Sequence, residues 1–214
     1  MTKYGKIETL FDRDAETFVV NPLVLRAPVL GTIREWDVTE KIDGTNIRVM
    51  LSLTGEVTFG GRSDAAQIPA DLVRYLIATF PAELLRASLW VKPEEPVDVV
   101  LYGEGYGPGI QKGGGLYRAD KAFILFDVLV SGQWWMDRIV VEEIASKLGI
   151  ASVPYLGRMG LDQIVNLVRT PFGSKIGSAM AEGIVARPIE PLFDKRMKRI
   201  IIKLKTKDFI AGRR

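Results

Sequence analysis

The stretch Glu40-Lys41-Ile42-Asp43-Gly44-Thr45-Asn46 decides how the rest of the chain is read. A strand-like segment, Thr32 to Thr39, runs into it, and a second apolar run, Ile47 to Leu53, leaves it. A lysine beside an acid and a glycine, between two strands, presents its amine at the mouth of a sheet. Asp-Gly is also a common turn dipeptide, so a charged hairpin turn accounts for the same residues. What the other segments supply separates a nucleophile from a turn.

Composition narrows the chemistry first. The 214 residues are 47% hydrophobic and 26% charged, the profile of a soluble globular protein with ample core, in one large domain or two small ones. No apolar run reaches membrane-spanning length, and Met1-Thr2-Lys3-Tyr4-Gly5 opens no signal-peptide core. Cysteine is absent, which excludes disulfides, thiolate metal sites and a cysteine nucleophile, and fits an intracellular, cytoplasmic protein. Histidine is absent too, so a Ser-His-Asp triad, a His-ligated zinc and a histidine base are excluded. Catalysis is left to Lys, Asp, Glu, Tyr, Arg or an oxygen-bound metal. The net charge of +3 and pI of about 9.1 mildly favour a polyanionic partner such as nucleic acid, and the basic residues gather between Asp194 and Arg214.

Outward from the opening stretch, residues 33–61 read as strand, turn, strand, turn, strand, with Thr54-Gly55-Glu56 as the second turn and Gly60-Gly61-Arg62-Ser63-Asp64 as the end of the meander. Upstream, a short helix is expected near Glu8 to Glu16, and Pro22 and Pro28 break any long element. Downstream, Leu72, Leu76, Phe80, Leu84 and Leu85 recur at helical spacing, and Pro81 starts a second helix. Val97 to Tyr102 is a strand that delivers Gly103-Glu104-Gly105. The glycine-rich run to Gly115 that follows holds Tyr106, Ile110, Gln111 and Lys112, which argues for a loop that approaches a ligand rather than a plain linker. Phe123 to Val130 is a central strand; Met136 to Leu148 and Leu161 to Arg169 are helices; Val153 to Leu156 is a short strand. Ala181 to Pro188 is a strand carrying Glu182, and the alternation in Ile202-Lys203-Leu204-Lys205 puts both lysines on one face.

Each charged residue has a plain alternative: a carboxylate on a strand is usually solvated, and Lys-x-Lys on a terminal strand guards an edge. Together and in order, Lys-x-Asp-Gly-x-Asn (41–46), Gly-Glu-Gly (103–105), Phe-Ile-Leu-Phe-Asp (123–127), Glu-Gly-Ile-Val (182–185) and Lys-Leu-Lys (203–205) resemble the covalent nucleotidyltransferase superfamily of polynucleotide ligases and mRNA capping enzymes. Asn46, Gly61-Arg62-Ser63 and the Tyr-Gly-Pro-Gly-Ile-Gln-Lys-Gly run resemble its RNA ligases of the RNA ligase 2 type. The resemblance spans about residues 36 to 209.

It implies an α+β fold of antiparallel sheets flanked by helices, ATP-grasp-like, forming one adenylyltransferase domain over 1–214. It implies that Lys41 attacks the α-phosphorus of ATP and carries AMP, with Lys203, Lys205 and Glu182 as catalytic partners. ATP-binding positions would be Glu40, Ile42, Asn46, Arg62, Glu104 and Phe126, with Phe123 as the rival for stacking on adenine. Glu104 and Glu182 would hold Mg²⁺ or Mn²⁺. A lysine is a nucleophile only when neutral, and its ordinary pKa is about 10.4, so neighbouring cations are expected to serve the chemistry. The implied partner is RNA with a 5′-phosphate and a 3′-OH, with DNA or an RNA/DNA hybrid as the rival substrate. DNA ligase, a GTP-using capping enzyme and a non-catalytic nucleic-acid-binding module are the competing identities. Relatives carry a further module after the last lysine motif, whereas Thr206 to Arg214 is too short for an OB-fold. The expectation is therefore a minimal enzyme that works with an accessory protein or as a homo-oligomer.

Overall fold

The computed structural model describes residues 2–14, 16, 17, 19–92 and 94–209. The chain forms two compact units, one of residues 1–4 and 43–153 and one of residues 5–42 and 154–214. In chain order the strands are β1 (Glu8–Thr9), β2 (Phe11–Arg13), β3 (Val20–Leu25), β4 (Trp36–Lys41), β5 (Thr45–Leu51), β6 (Val57–Gly60), β7 (Val99–Tyr106), β8 (Ala122–Val130), β9 (Trp134–Trp135), β10 (Ala151–Ser152), β11 (Tyr155–Met159), β12 (Gly183–Pro188) and β13 (Ile202–Lys205). The helices are α1 (Ala70–Thr79), α2 (Ala82–Leu89), α3 (Arg138–Lys147) and α4 (Leu161–Arg169). No described helix is long and apolar enough to cross a membrane.

The larger unit is a sheet ordered β10-β8-β7-β5-β6, with β9 paired to β8. Its pairings are antiparallel except β10 with β8. Alternation along β5 sends Ile47, Val49 and Leu51 to one face, where they meet Leu72 and Leu76 of α1, Leu85 of α2 and Val141 and Ala145 of α3. Pro81 precedes α2, as its fixed φ and missing N–H favour. Asp137 caps α3, its Oδ1 accepting from Val140 N at 2.9 Å, and Gly149 at φ 65° follows the helix end. On the opposite face Tyr102, Trp135, Phe126 and Tyr4 form an aromatic cluster, and Tyr4 donates its hydroxyl to buried Asp127 at 2.7 Å.

The smaller unit is the sheet β1-β13-β12-β4-β11, antiparallel apart from β1 with β13. Trp36 and Val38 of β4, Ile184 and Ala186 of β12, and Ile202 and Leu204 of β13 bury one face against Ile164 and Val168 of α4. The intervening positions Thr39, Lys41, Val185, Lys203 and Lys205 are only half-buried and occupy the other face.

Three local expectations are corrected. Among the described residues, Glu8 to Glu16 holds no helix: Glu8 and Thr9 pair with Ile202 and Lys203, and Leu10 and Phe11 enter the core, a long-range pairing that outweighs local pattern. Val153 to Leu156 is not one strand, for β10 ends at Ser152 and β11 starts at Tyr155. Finally, β4 and β5 do not form a hairpin. They belong to different sheets, and residues 42–44 carry the chain from one unit into the other.

Candidate active site

Backbone register assembles the charged cluster of the smaller unit. Gly183 of β12 stands opposite Lys41 of β4 on one side and opposite Lys205 of β13 on the other. A residue between them with a Cβ would break the row. Gly183 has φ 154°, and an added Cβ would lie 2.0 Å from the Leu204 carbonyl oxygen. Glu182 comes just before this glycine, its carbonyl accepting from Thr206 N at 2.9 Å. Its carboxylate therefore meets both cations: Lys41 Nζ donates to Oε2 at 2.6 Å, and Lys205 Nζ pairs with Oε1. Burial alone pushes the Glu182 carboxyl up, but Lys41 and Lys205 together more than offset it and hold it below its ordinary value. Lys203 lies one alternation further along the same face, opposite Val185.

Glu40, next to the nucleophile candidate, points the other way along β4 and is almost fully buried. Its oxygens accept from Ser174 Oγ at 2.5 Å and Lys175 N at 2.8 Å. It holds the segment after α4 rather than lying on the lysine face. Ile42 is buried, and its carbonyl is 3.4 Å from Lys41 Nζ.

In the larger unit, Asn46 of β5 stands opposite Glu104 of β7, and Glu104 opposite Ile124 of β8. Asn46 Oδ1 is buried with no hydrogen-bond partner. Phe126 sits at an irregularity of the β7–β8 register, half-buried, with its ring edge-on to Tyr4 at 5.1 Å. Phe123 is core: it is buried and edge-on to Phe80 at 5.4 Å, and an added Cβ on Gly103 would come within 2.2 Å of its ring. Arg62 is exposed in the loop after β6.

Several supporting residues escaped the sequence reading. Gln111 of the glycine-rich loop donates its side-chain amide to the Gly44 carbonyl at 2.7 Å, and Asp43 N donates to Tyr117 Oη at 3.3 Å. Gly44 itself packs so closely on β7 that an added Cβ would stand 2.3 Å from the Gly105 carbonyl. The glycine-rich run is thus a folded clamp on Asp43 and Gly44. Arg48 is fully buried, donating from Nε to the Gly61 carbonyl at 2.7 Å and from Nη2 to Asp64 at 2.9 Å. That fixes the ends of the loop bearing Arg62. The Gln-Lys-Gly motif hinted at the first group, while nothing in the local pattern around Arg48 foretold a buried arginine.

Among the described residues no three acidic side chains come together as a ready-made metal cage. The donor set instead fits a hard cation that keeps most of its own water and uses one or two carboxylates plus substrate phosphates. In the smaller unit Glu182 is the carboxylate on the lysine face.

The α+β fold, with two lysines and a carboxylate on one sheet face, is similar to the nucleotidyltransferase fold of RNA ligases. Solved structures share the fold. An apo mutant of a Naegleria gruberi RNA ligase aligns with TM-score 0.64 and 19% identity, over 85% of this chain and 53% of that one. A Naegleria gruberi RNA ligase mutant with ATP and Mn aligns with TM-score 0.64 and 18% identity, over 97% and 63%, and the same organism's RNA ligase with PPi gives 0.64 and 17%, over 96% and 62%. The chain spans between about half and two-thirds of the length of these relatives. No curated protein sequence matches it. The RNA ligase family model matches residues 34–205, and the chain belongs to the RNA ligase family.

Proposed function

We propose that this chain is the adenylyltransferase domain of an ATP-dependent RNA ligase. The observation that carries the reading is the row Lys41–Gly183–Lys205 across three adjacent strands, with Glu182 bridging the two amines. In the first step the Lys41 amine attacks the α-phosphorus of ATP. An N–P bond forms, the bond to the β-phosphate oxygen breaks, and pyrophosphate leaves. An ammonium has no lone pair, so Lys41 must first part from Glu182 and lose a proton to water. Lys205 and Lys203 face the triphosphate from the same sheet and balance the charge that develops on its oxygens. A bound Mg²⁺ or Mn²⁺ would supply further charge neutralisation at the phosphates, with Glu182, beside Lys41 and Lys205, as the carboxylate of the smaller unit that would hold it. Such a metal accords with the solved Naegleria gruberi relatives bound to ATP or AMP and Mn.

Phe126 offers an aromatic face to adenine, Glu104 a carboxylate to the ribose, and Arg62 a guanidinium fork to phosphate. Asn46, with its orphaned Oδ1, orients the phosphate handled in the later steps. Those steps transfer AMP to an RNA 5′-phosphate and then expel it as a 3′-OH attacks.

The test is incubation with Mg²⁺ and α-labelled ATP or GTP, followed by nicked or single-stranded 5′-phosphorylated RNA and DNA. The expected result is an acid-labile protein label from ATP, lost in Lys41→Ala, and joining of RNA in preference to DNA. A label that survives Lys41→Ala, or no label from either nucleotide, overturns the reading.

A further inference from the structure

The connection from β12 to β13 is a second basic feature of the smaller unit, and the proposed chemistry leaves it unused. Residues 192–200 fold back as a tight hairpin: Ile200 N donates to the Leu192 carbonyl at 2.8 Å, and Phe193 bridges Arg199. Asp194 staples the tip. Its Oδ1 accepts from Arg196 N at 2.8 Å and Lys198 N at 2.9 Å, while Asp194 N donates to the Lys198 carbonyl at 2.8 Å. Met197 completes the turn at φ 57°. The acid is thus consumed by the backbone, and Lys195, Arg196 and Lys198 are displayed to solvent. Four basic residues and one acid give the hairpin a net charge of +3, equal to that of the whole chain. Phe193 and Met197, 46% and 77% exposed, stand among these cations. Apolar faces interleaved with fixed cations suit a nucleic-acid strand, whose phosphates and bases need both.

The hairpin's place in the sheet says which part of the strand it meets. The Lys41–Gly183–Lys205 row lies at one end of β12, and the hairpin leaves beyond the other end, after Pro188. Five residues separate the rows, about 17 Å at a rise of about 3.3 Å per residue. One strand of duplex DNA rises about 3.4 Å of helix axis per nucleotide and A-form RNA rises less, so that distance covers at least about five nucleotides. Lys203 and Arg187 lie on the same open face between the two ends.

We propose that the 192–200 hairpin grips the phosphate backbone of the RNA about five nucleotides from the joint being sealed. It sets the length of RNA the chain requires and reads no sequence. This rests on the RNA-joining function proposed above. The experiment uses the full chain and a triple variant, Lys195→Ala, Arg196→Ala, Lys198→Ala, confined to exposed side chains. The probes are nicked RNA dumbbells closed by loops, with arms of about 4 or about 12 base pairs on each side of the nick, so that only the longer arms span the reach derived above.

The triple variant is expected to form lysyl-AMP at the wild-type rate and to bind the short-arm RNA with wild-type affinity. On the long-arm RNA it is expected to lose about tenfold or more in affinity, with the slope of log affinity against log salt shallower by about 2 to 3, as three lost phosphate contacts require. Unchanged affinity and slope on the long arms, or equal losses on both, overturn the inference and leave lysyl-AMP formation standing. Hairpin-dependent binding of long arms in a chain that never forms lysyl-AMP upholds the grip and overturns the proposed reaction.

Discussion

Gly183→Ala tests whether backbone register is what brings the reactive side chains together. Gly183 has φ 154°, and a Cβ there would stand 2.0 Å from the Leu204 carbonyl oxygen, 2.7 Å from Lys205 Cα and 2.9 Å from the Leu204 carbonyl carbon. All three are backbone atoms of β13, so no flexible side chain can yield instead. Restoring ordinary contact requires β13 to move by about 1.4 Å. The strained φ costs about 1–3 kcal/mol, and the two ladder hydrogen bonds that the shift stretches are worth about 1 kcal/mol each. The expected destabilisation is therefore about 3–5 kcal/mol, large against a typical domain stability of about 5–15 kcal/mol.

The same shift carries Lys205 away from Glu182 and breaks the row with Lys41. A misplacement of about 1 Å at a reacting group costs about 10²-fold in rate. The assays are urea unfolding for stability and the single-turnover rate of label transfer from α-labelled ATP, run below the unfolding transition. A variant that unfolds within about 1 kcal/mol of wild type and labels at an unchanged rate would refute the register argument. One that loses stability but keeps its rate would show that the Lys205–Glu182 spacing does not govern nucleotide transfer.

Other perturbations probe the same frame. The Glu182 carboxyl is held below its ordinary 4.5 in the folded chain, where Lys41 and Lys205 outweigh burial, so its contribution to stability is complete above that value and is lost as pH falls through the lower folded one. Urea stability measured from neutral pH to pH ~3 should fall less steeply in Glu182→Gln than in wild type over that acid window. Arg48→Met strips the Gly61 carbonyl and Asp64 of a buried donor, and should cost about 2–4 kcal/mol by urea unfolding. Glu40→Ala removes the acceptor of Ser174 Oγ and Lys175 N, and hydrogen exchange should show the Lys175 amide losing protection. Gln111→Ala frees the Gly44 carbonyl; labelling of Lys41 should slow about tenfold, in line with a sub-ångström loosening of the nucleophile loop.

How much of this was legible in the sequence depended on the range of the interaction that fixes each element. The two helices split at Pro81 and the helix 161–169 rest on local periodicity and were readable at once. So was the shared face of Lys203 and Lys205, because alternation is a property of four consecutive residues. Residues 8 and 9 misled, for their strand pairing is with β13, almost two hundred residues away in sequence. The Asp-Gly pair looked like a hairpin because nothing local records that β4 and β5 join different sheets. Pro154 hid a similar division: Val153 N donates to Leu125 in one unit, and the Pro154 carbonyl accepts from Glu40 N in the other. Glu40 was readable as an acid beside a nucleophile, but which face of β4 it takes is decided by burial against residues after α4.

Lys41, Glu182 and Lys205 are brought together by strand register and by one glycine, with little demand on the side chains behind them. The core beneath asks only for apolar residues of suitable volume at alternate positions, a requirement that many sequences meet. A fold specified in that way tolerates wide drift, and alignment at TM-score 0.64 with 17–19% identity is what it should show. Drift should be least tolerated where a backbone atom leaves no room for a Cβ. Gly183 against Leu204 and Gly44 against Gly105 are two such places, and they flank the nucleophile candidate, one across the sheet and one along the chain. Substitution at either should therefore disturb Lys41 more than the exchange of any single apolar residue in the core below it.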